Sequence, residues 1–120
     1  MIFRTNKNKI KSSGEQAEDL ALEYLEQNKL RTLTRNYRCK LGEIDLIMKD
    51  AETLVFVEVR YRKNDHFGSA LDSVDNRKQN KVLKAAQCYM SENKTSPEQA
   101  IRFDVIGITG SETQWIKNAF

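Results

Sequence analysis

The chain has 120 residues, 39% hydrophobic and 31% charged, which suits one domain with one core and argues against wholesale disorder. No apolar run reaches the length that spans a bilayer, and the opening MIFRTNKNKIKSS carries charge where a secretory signal carries an apolar segment, so a cytoplasmic protein with no membrane partner is expected. The formal net charge is +3, and the two cysteines, Cys39 and Cys88, lack C-x-x-C spacing and have only His66 for company, which argues against a disulfide framework and against zinc.

Residues 1–13 hold Arg4, Lys7, Lys9 and Lys11 and no acid. They read as a basic, flexible tail, either a solubilising end or a nucleic-acid contact, ahead of a single domain over 14–120. From Gly14 to about Asn28, Ala17, Leu20, Ala21, Tyr24 and Leu25 recur at helical spacing, with Ser12 or Ser13 available as the cap. The run RTLTRNYR, 31–38, mixes β-favouring and basic residues and reads as an edge strand.

EIDLIMK, 43–49, and LVFVEVRY, 54–61, are the clearest strands, joined by a hairpin connection over 50–53. The second is apolar on both faces through Val59 and is expected at the centre of the sheet. Residues 62–72, with His66, Phe67 and Gly68, read as a surface loop. A second helix is expected from about Val74 to Glu92, with Ser73 as its cap and Val82, Leu83, Ala86, Tyr89 and Met90 as its stripe. Strands at 101–108 and within 113–120 complete the order α-β-β-β-α-β-β, an α+β arrangement of a mixed sheet flanked by helices.

Acids interrupt the two best strands. Alternation puts Ile44, Leu46 and Met48 on one face and Glu43, Asp45 and Ile47 on the other; in the next strand Leu54, Phe56, Glu58 and Arg60 share a face. If Asp50 and Thr53 close the hairpin as a pair, Asp45 faces Glu58 and Glu43 faces Arg60. Two carboxylates with β-carbons about 5 Å apart need a cation or a raised pKa. A hard divalent cation answers that need; ordinary ion pairs with Arg60 or Arg62 are the other reading. Glu18 falls just beyond the apolar arc of the first helix and can lean toward the same place, or remain solvated at its rim. Lys78 lies at the edge of the second helix's arc, Gln79 within it and Lys81 to one side, which places Lys78 and Gln79 to meet a phosphate or an attacking water. Lys29, Arg31, Arg35, Arg38 and Lys40 form an acid-free basic run, and a basic rim around a carboxylate-bound metal is the layout for phosphodiester hydrolysis.

The combination GEIDLI, LVFVEVRYR, FG, V-x-x-x-KQ followed by AA and Tyr89, RFDV and NAF resembles the YraN family of uncharacterised bacterial proteins over roughly residues 12–120. That family is similar to the restriction-endonuclease-like PD-(D/E)xK nucleases, particularly those resembling Holliday-junction resolvases. The resemblance implies a restriction-endonuclease-like fold. It also implies that Glu18, Asp45 and Glu58 occupy the acidic positions, with the Val59 carbonyl as a further ligand of Mg²⁺ or Mn²⁺. The departure is Arg60, where the nuclease motif has lysine: arginine cannot accept a proton near neutral pH but can hold phosphate. Either Arg60 acts electrostatically, or Lys78 reaches in, or the protein binds without cutting.

The expected function is therefore a metal-dependent endonuclease acting on DNA, branched intermediates included. Asp45, Glu58, Arg60, Lys78 and Gln79 would do the chemistry, and Arg35, Arg38, Lys40, Arg60, Arg62, Lys78 and Lys81 would hold the nucleic acid. The alternative is a non-catalytic nucleic-acid-binding or scaffold module on the same fold. Symmetric cutting of a junction would call for a homodimer. Asp104 in RFDV is expected to pair with Arg102 or a neighbouring arginine rather than with metal, and Trp115 and Phe120 are expected to pack.

Overall fold

Ser12 starts the first helix. Its hydroxyl accepts the Glu15 N–H while the Glu15 carboxylate accepts the Ser12 N–H, both at 3.1 Å, so two donors that the helix leaves unpaired are satisfied reciprocally. The computed structural model describes residues 11–63, 70–110 and 112–120. In chain order these form α1 (Ser13–Gln27), β1 (Arg31–Cys39), β2 (Gly42–Asp50), β3 (Thr53–Arg62), a single 3₁₀ turn (Leu71–Ser73), α2 (Asn76–Glu92), β4 (Ile101–Thr109) and β5 (Glu112–Ile116). Residues 1–10 of the expected tail, and His66, Phe67 and Gly68, lie outside the described residues.

The five strands form one sheet in the order β1-β2-β3-β4-β5, antiparallel except for the parallel pair β3/β4 that α2 connects. β3 is central and β1 is an edge, as their compositions imply. Alternation along β3 divides the core. Val55 and Val57 pack with Leu46, Met48 and Ile106 against Ala21 and Leu25 of α1, whereas Leu54 and Phe56 pack with Phe103 against Val82, Ala85 and Ala86 of α2. The helices thus cover opposite faces. No helix among the described residues is long and apolar enough to cross a membrane.

Several details differ from the sequence reading. α2 begins at Asn76, because the Asp75 carboxylate, not the Ser73 hydroxyl, accepts the Lys78 N–H at 2.9 Å. Leu83 is 37% exposed and Ala85 takes its place in the stripe; Leu20 of α1 is likewise 50% exposed. β5 ends at Ile116, after which the chain turns so that Phe120 stacks on Phe103 at 5.3 Å. Ile44 packs with Ile47 on the α2 side rather than with Leu46 and Met48.

Candidate functional site

The misplaced Ile44 marks where β2 ceases to be regular. The β2–β3 ladder runs from Asp50/Thr53 to Leu46/Val57, in the expected register, and stops before Asp45. The Asp45 carboxylate replaces the missing ladder by accepting the Val59 N–H at 2.8 Å, so the donor freed by the parting strands is not orphaned. On the other side of β2, Asn36 of β1 lies between the pairs Arg35/Leu46 and Tyr37/Ile44 with φ 53°, a left-handed conformation that asparagine tolerates better than most residues. The expected Glu43–Arg60 pairing does not form. With the ladder ended, Glu43 meets its β1 partner Arg38 at 3.4 Å.

The parted strands open a pocket of about 170 Å³, and Glu18 of α1, Asp45 of β2, Glu58, Val59 and Arg60 of β3, and Lys78 of α2 line it. Glu58 is 2% exposed. Its Oε2 lies 3.0 Å from Lys78 Nζ and 3.6 Å from an Arg60 guanidinium nitrogen, while its Oε1 is buried without a hydrogen-bond partner. Arg60 is itself aimed: its Nε donates to Ser73 Oγ at 2.9 Å, and that hydroxyl donates to the Ala70 carbonyl at 2.6 Å.

Burial first and the Glu58 charge second push the Asp45 carboxyl up to about 7, against the pull of the Val59 N–H and Lys78. Burial, then Asp45, also raises Glu18; a hydrogen bond from the Asn36 side chain and the charge of Arg35, 3.7 Å away, oppose this. Asp45 thus stands between two other carboxyls, raised by the Glu58 charge and itself raising Glu18. The orphaned Glu58 Oε1 and the raised Asp45 pKa express one fact: this pair calls for a proton or a cation between its members.

Among the described residues no set of three or more His, Cys, Asp or Glu side chains forms a ready metal cage. Mg²⁺, however, seldom takes an all-protein cage and is usually held by one or two carboxylates with water and substrate phosphate. A buried carboxylate oxygen without a partner beside a second carboxylate fits that donor set.

Gln79 does not join the pocket: its side-chain amide donates to the Val74 carbonyl at 2.9 Å, closing the α2 N-terminus instead of facing a phosphate. Lys81, Arg38 and Lys40 line an adjoining cleft of about 410 Å³ that shares Glu43 and Lys78 with the acidic pocket. Arg35 is committed to Asp19, at 2.8 Å, and Arg62 ends β3 opposite Thr109 of β4. Asn36, which steadies Glu18, escaped the sequence reading, and Ser73, which aims Arg60, entered it only as a helix cap. An asparagine inside a β-favouring run was the available signal for the first. Asp104 is structural, as expected: fully buried, it accepts from Arg102, from Trp115 Nε1 and from the Asn118 N–H.

Residues 17–108 match the model of the uncharacterised protein family UPF0102, a stretch that contains Glu18, Asp45, Glu58, Arg60 and Lys78. The chain belongs to this family. It is 47% identical over 114 residues to a UPF0102 protein of Nitrosococcus oceani, covering 92% of each chain. A UPF0102 protein of Stutzerimonas stutzeri is 49% identical, over 91% of this chain and 94% of its own, and one of Vibrio parahaemolyticus is 52% identical, over 88% and 89%. This is the YraN-like assignment to which the motifs led.

Proposed function

We propose that this UPF0102 protein is a divalent-metal-dependent endonuclease that hydrolyses phosphodiester bonds in DNA, with branched intermediates among its substrates. The observation that carries the proposal is the Glu58 Oε1, buried and without a partner beside Asp45. When bound, Mg²⁺ or Mn²⁺ would supply water activation and offset charge on the phosphate.

The remaining chemistry falls to the chain. Asp45 and Glu58, with the Val59 carbonyl, hold the cation, and Glu18, poised by Asn36, orients water at the pocket mouth. Lys78 supplies the ammonium that the nuclease motif places at position 60, 3.0 Å from Glu58. Arg60, fixed by Ser73, stabilises negative charge on the phosphate rather than moving a proton. Arg38, Lys40 and Lys81 in the adjoining cleft hold the strand that runs to the pocket.

One observation favours the second reading, a binding module without turnover. Glu58 Oε2 is already paired with Lys78 and approached by Arg60, so the protein balances this charge on its own. Calorimetric titration with Mg²⁺ and Mn²⁺ separates the two. Asp45→Asn should keep the circular-dichroism spectrum of the wild type and weaken metal binding by more than about tenfold; unchanged affinity removes the metal claim.

A further inference from the structure

β1 and α2 meet a second time, on the α2 side of the sheet beyond the basic cleft. The Tyr37 hydroxyl donates to Glu92 at 2.7 Å, and the Tyr37 ring stands edge-on to Tyr89 with centroids 5.3 Å apart. Two residues on along β1, Cys39 shares the face of Tyr37, and four residues back along α2, Cys88 lies one turn from Glu92 on the same side. The two steps match in length, about 6.6 Å along a strand and about 6 Å along a helix. The Tyr37–Glu92 contact therefore sets Cys39 against Cys88, near enough for each thiol to act on the other.

Both thiols are free and half-buried, and Cys39 also lines the basic cleft. The segments are already in backbone contact here. At Gly42, three residues past Cys39, an added Cβ would sit 2.7 Å from the Lys81 carbonyl oxygen of α2. Neither sulfur has a part in the proposed hydrolysis.

We propose that Cys39 and Cys88 are a redox pair that a hydroperoxide oxidises to an intramolecular disulfide, stapling the end of β1 to α2 beside the basic cleft.

The two sulfurs are unequal. The neighbouring Cys88 lowers the Cys39 thiol, and the Leu41 and Gly42 N–H groups assist against the effect of burial; Cys39 in turn raises Cys88. Cys39, the one of the two that lines the open cleft, is the sulfur that the peroxide meets and the attacking thiolate. Its sulfur displaces at the peroxide O–O bond, forming S–O while the departing oxygen takes a proton, which leaves a sulfenic acid on Cys39. The Cys88 sulfur then attacks the Cys39 sulfur: S–S forms, S–O breaks, and the hydroxide leaves as water with the Cys88 proton. Two electrons pass from the sulfurs to the peroxide. The pair stands apart from Asp45 and Glu58, so it does not depend on the nuclease reading.

The test uses the whole folded protein treated with hydrogen peroxide, alkylated in denaturant without reductant, digested and analysed by mass spectrometry. The expected result is loss of both alkylatable thiols and a peptide joining Cys39 to Cys88 that dithiothreitol releases. Cys88→Ser should instead leave a dimedone-reactive sulfenic acid at Cys39. Two thiols that stay alkylatable, separate sulfinic acids on each cysteine, or disulfides only between chains would each overturn the proposal.

Discussion

Asp45 does three things at once: it ends a β ladder, caps the Val59 N–H and presses its charge on Glu58. Because its folded pKa of about 7 lies above its ordinary 3.8, the native protein holds a proton there that the unfolded chain has lost. Its contribution to stability is therefore present in acid and lost as pH rises from about 4 through about 7. Urea unfolding of the metal-free protein should show lower stability at pH 8 than at pH 5 from this group, and Asp45→Asn should flatten that slope. Mg²⁺ should restore stability at pH 8 in the wild type only. Parallel pH profiles for the two proteins would show that Asp45 does not carry the effect.

Whole elements are fixed by similarly few contacts. Asp104 joins β4 to β5 and to the turn after it, its fully buried carboxylate accepting from Arg102, Trp115 and Asn118. Asp104→Ala takes the shared acceptor from Trp115, Asn118 and Arg102, leaving Arg102 only its pair with Asp50, and should cost about 3 kcal/mol or more in denaturant unfolding. The β1–β2 turn rests on α2 through Gly42, so Gly42→Ala, which drives a methyl against the Lys81 carbonyl, should cost about 1–3 kcal/mol by the same measurement.

The order of elements was legible because LVFVEVRY and EIDLIMK are rich in β-favouring apolar residues and the helices carry helical spacing. The acidic pair was legible because carboxylates are out of place on such strands. The face of Ile44 and the partner of Glu43 were not, because a break in the ladder leaves no mark in a strand's alternation. Ala85 was passed over for Leu83 because hydrophobicity ranks leucine higher, whereas close approach of α2 to the sheet favours the smaller side chain. Cys39 and Cys88 looked unrelated because sequence separation says nothing about which helix covers which strand.

At the scale of the molecule, the parted ends of β2 and β3 lie between helices on opposite faces, and each helix sends one group to them, Glu18 from α1 and Lys78 from α2. The acidic pocket and the basic cleft share Glu43 and Lys78, which makes one continuous surface, acidic at Asp45 and Glu58 and basic at Arg38, Lys40 and Lys81. A polyanion held on this surface should bind with an affinity that falls as salt rises, whether or not it is cut. The most direct measurement is therefore cleavage of labelled linear, single-stranded and four-way-junction DNA with Mg²⁺ or Mn²⁺, comparing the wild type with the Asp45→Asn, Glu58→Gln double variant. Metal-dependent cutting by the wild type that the double variant loses is the expected result. Salt-sensitive binding without cutting by either protein would contradict the nuclease account and leave a binding module built around Lys78 and Arg60.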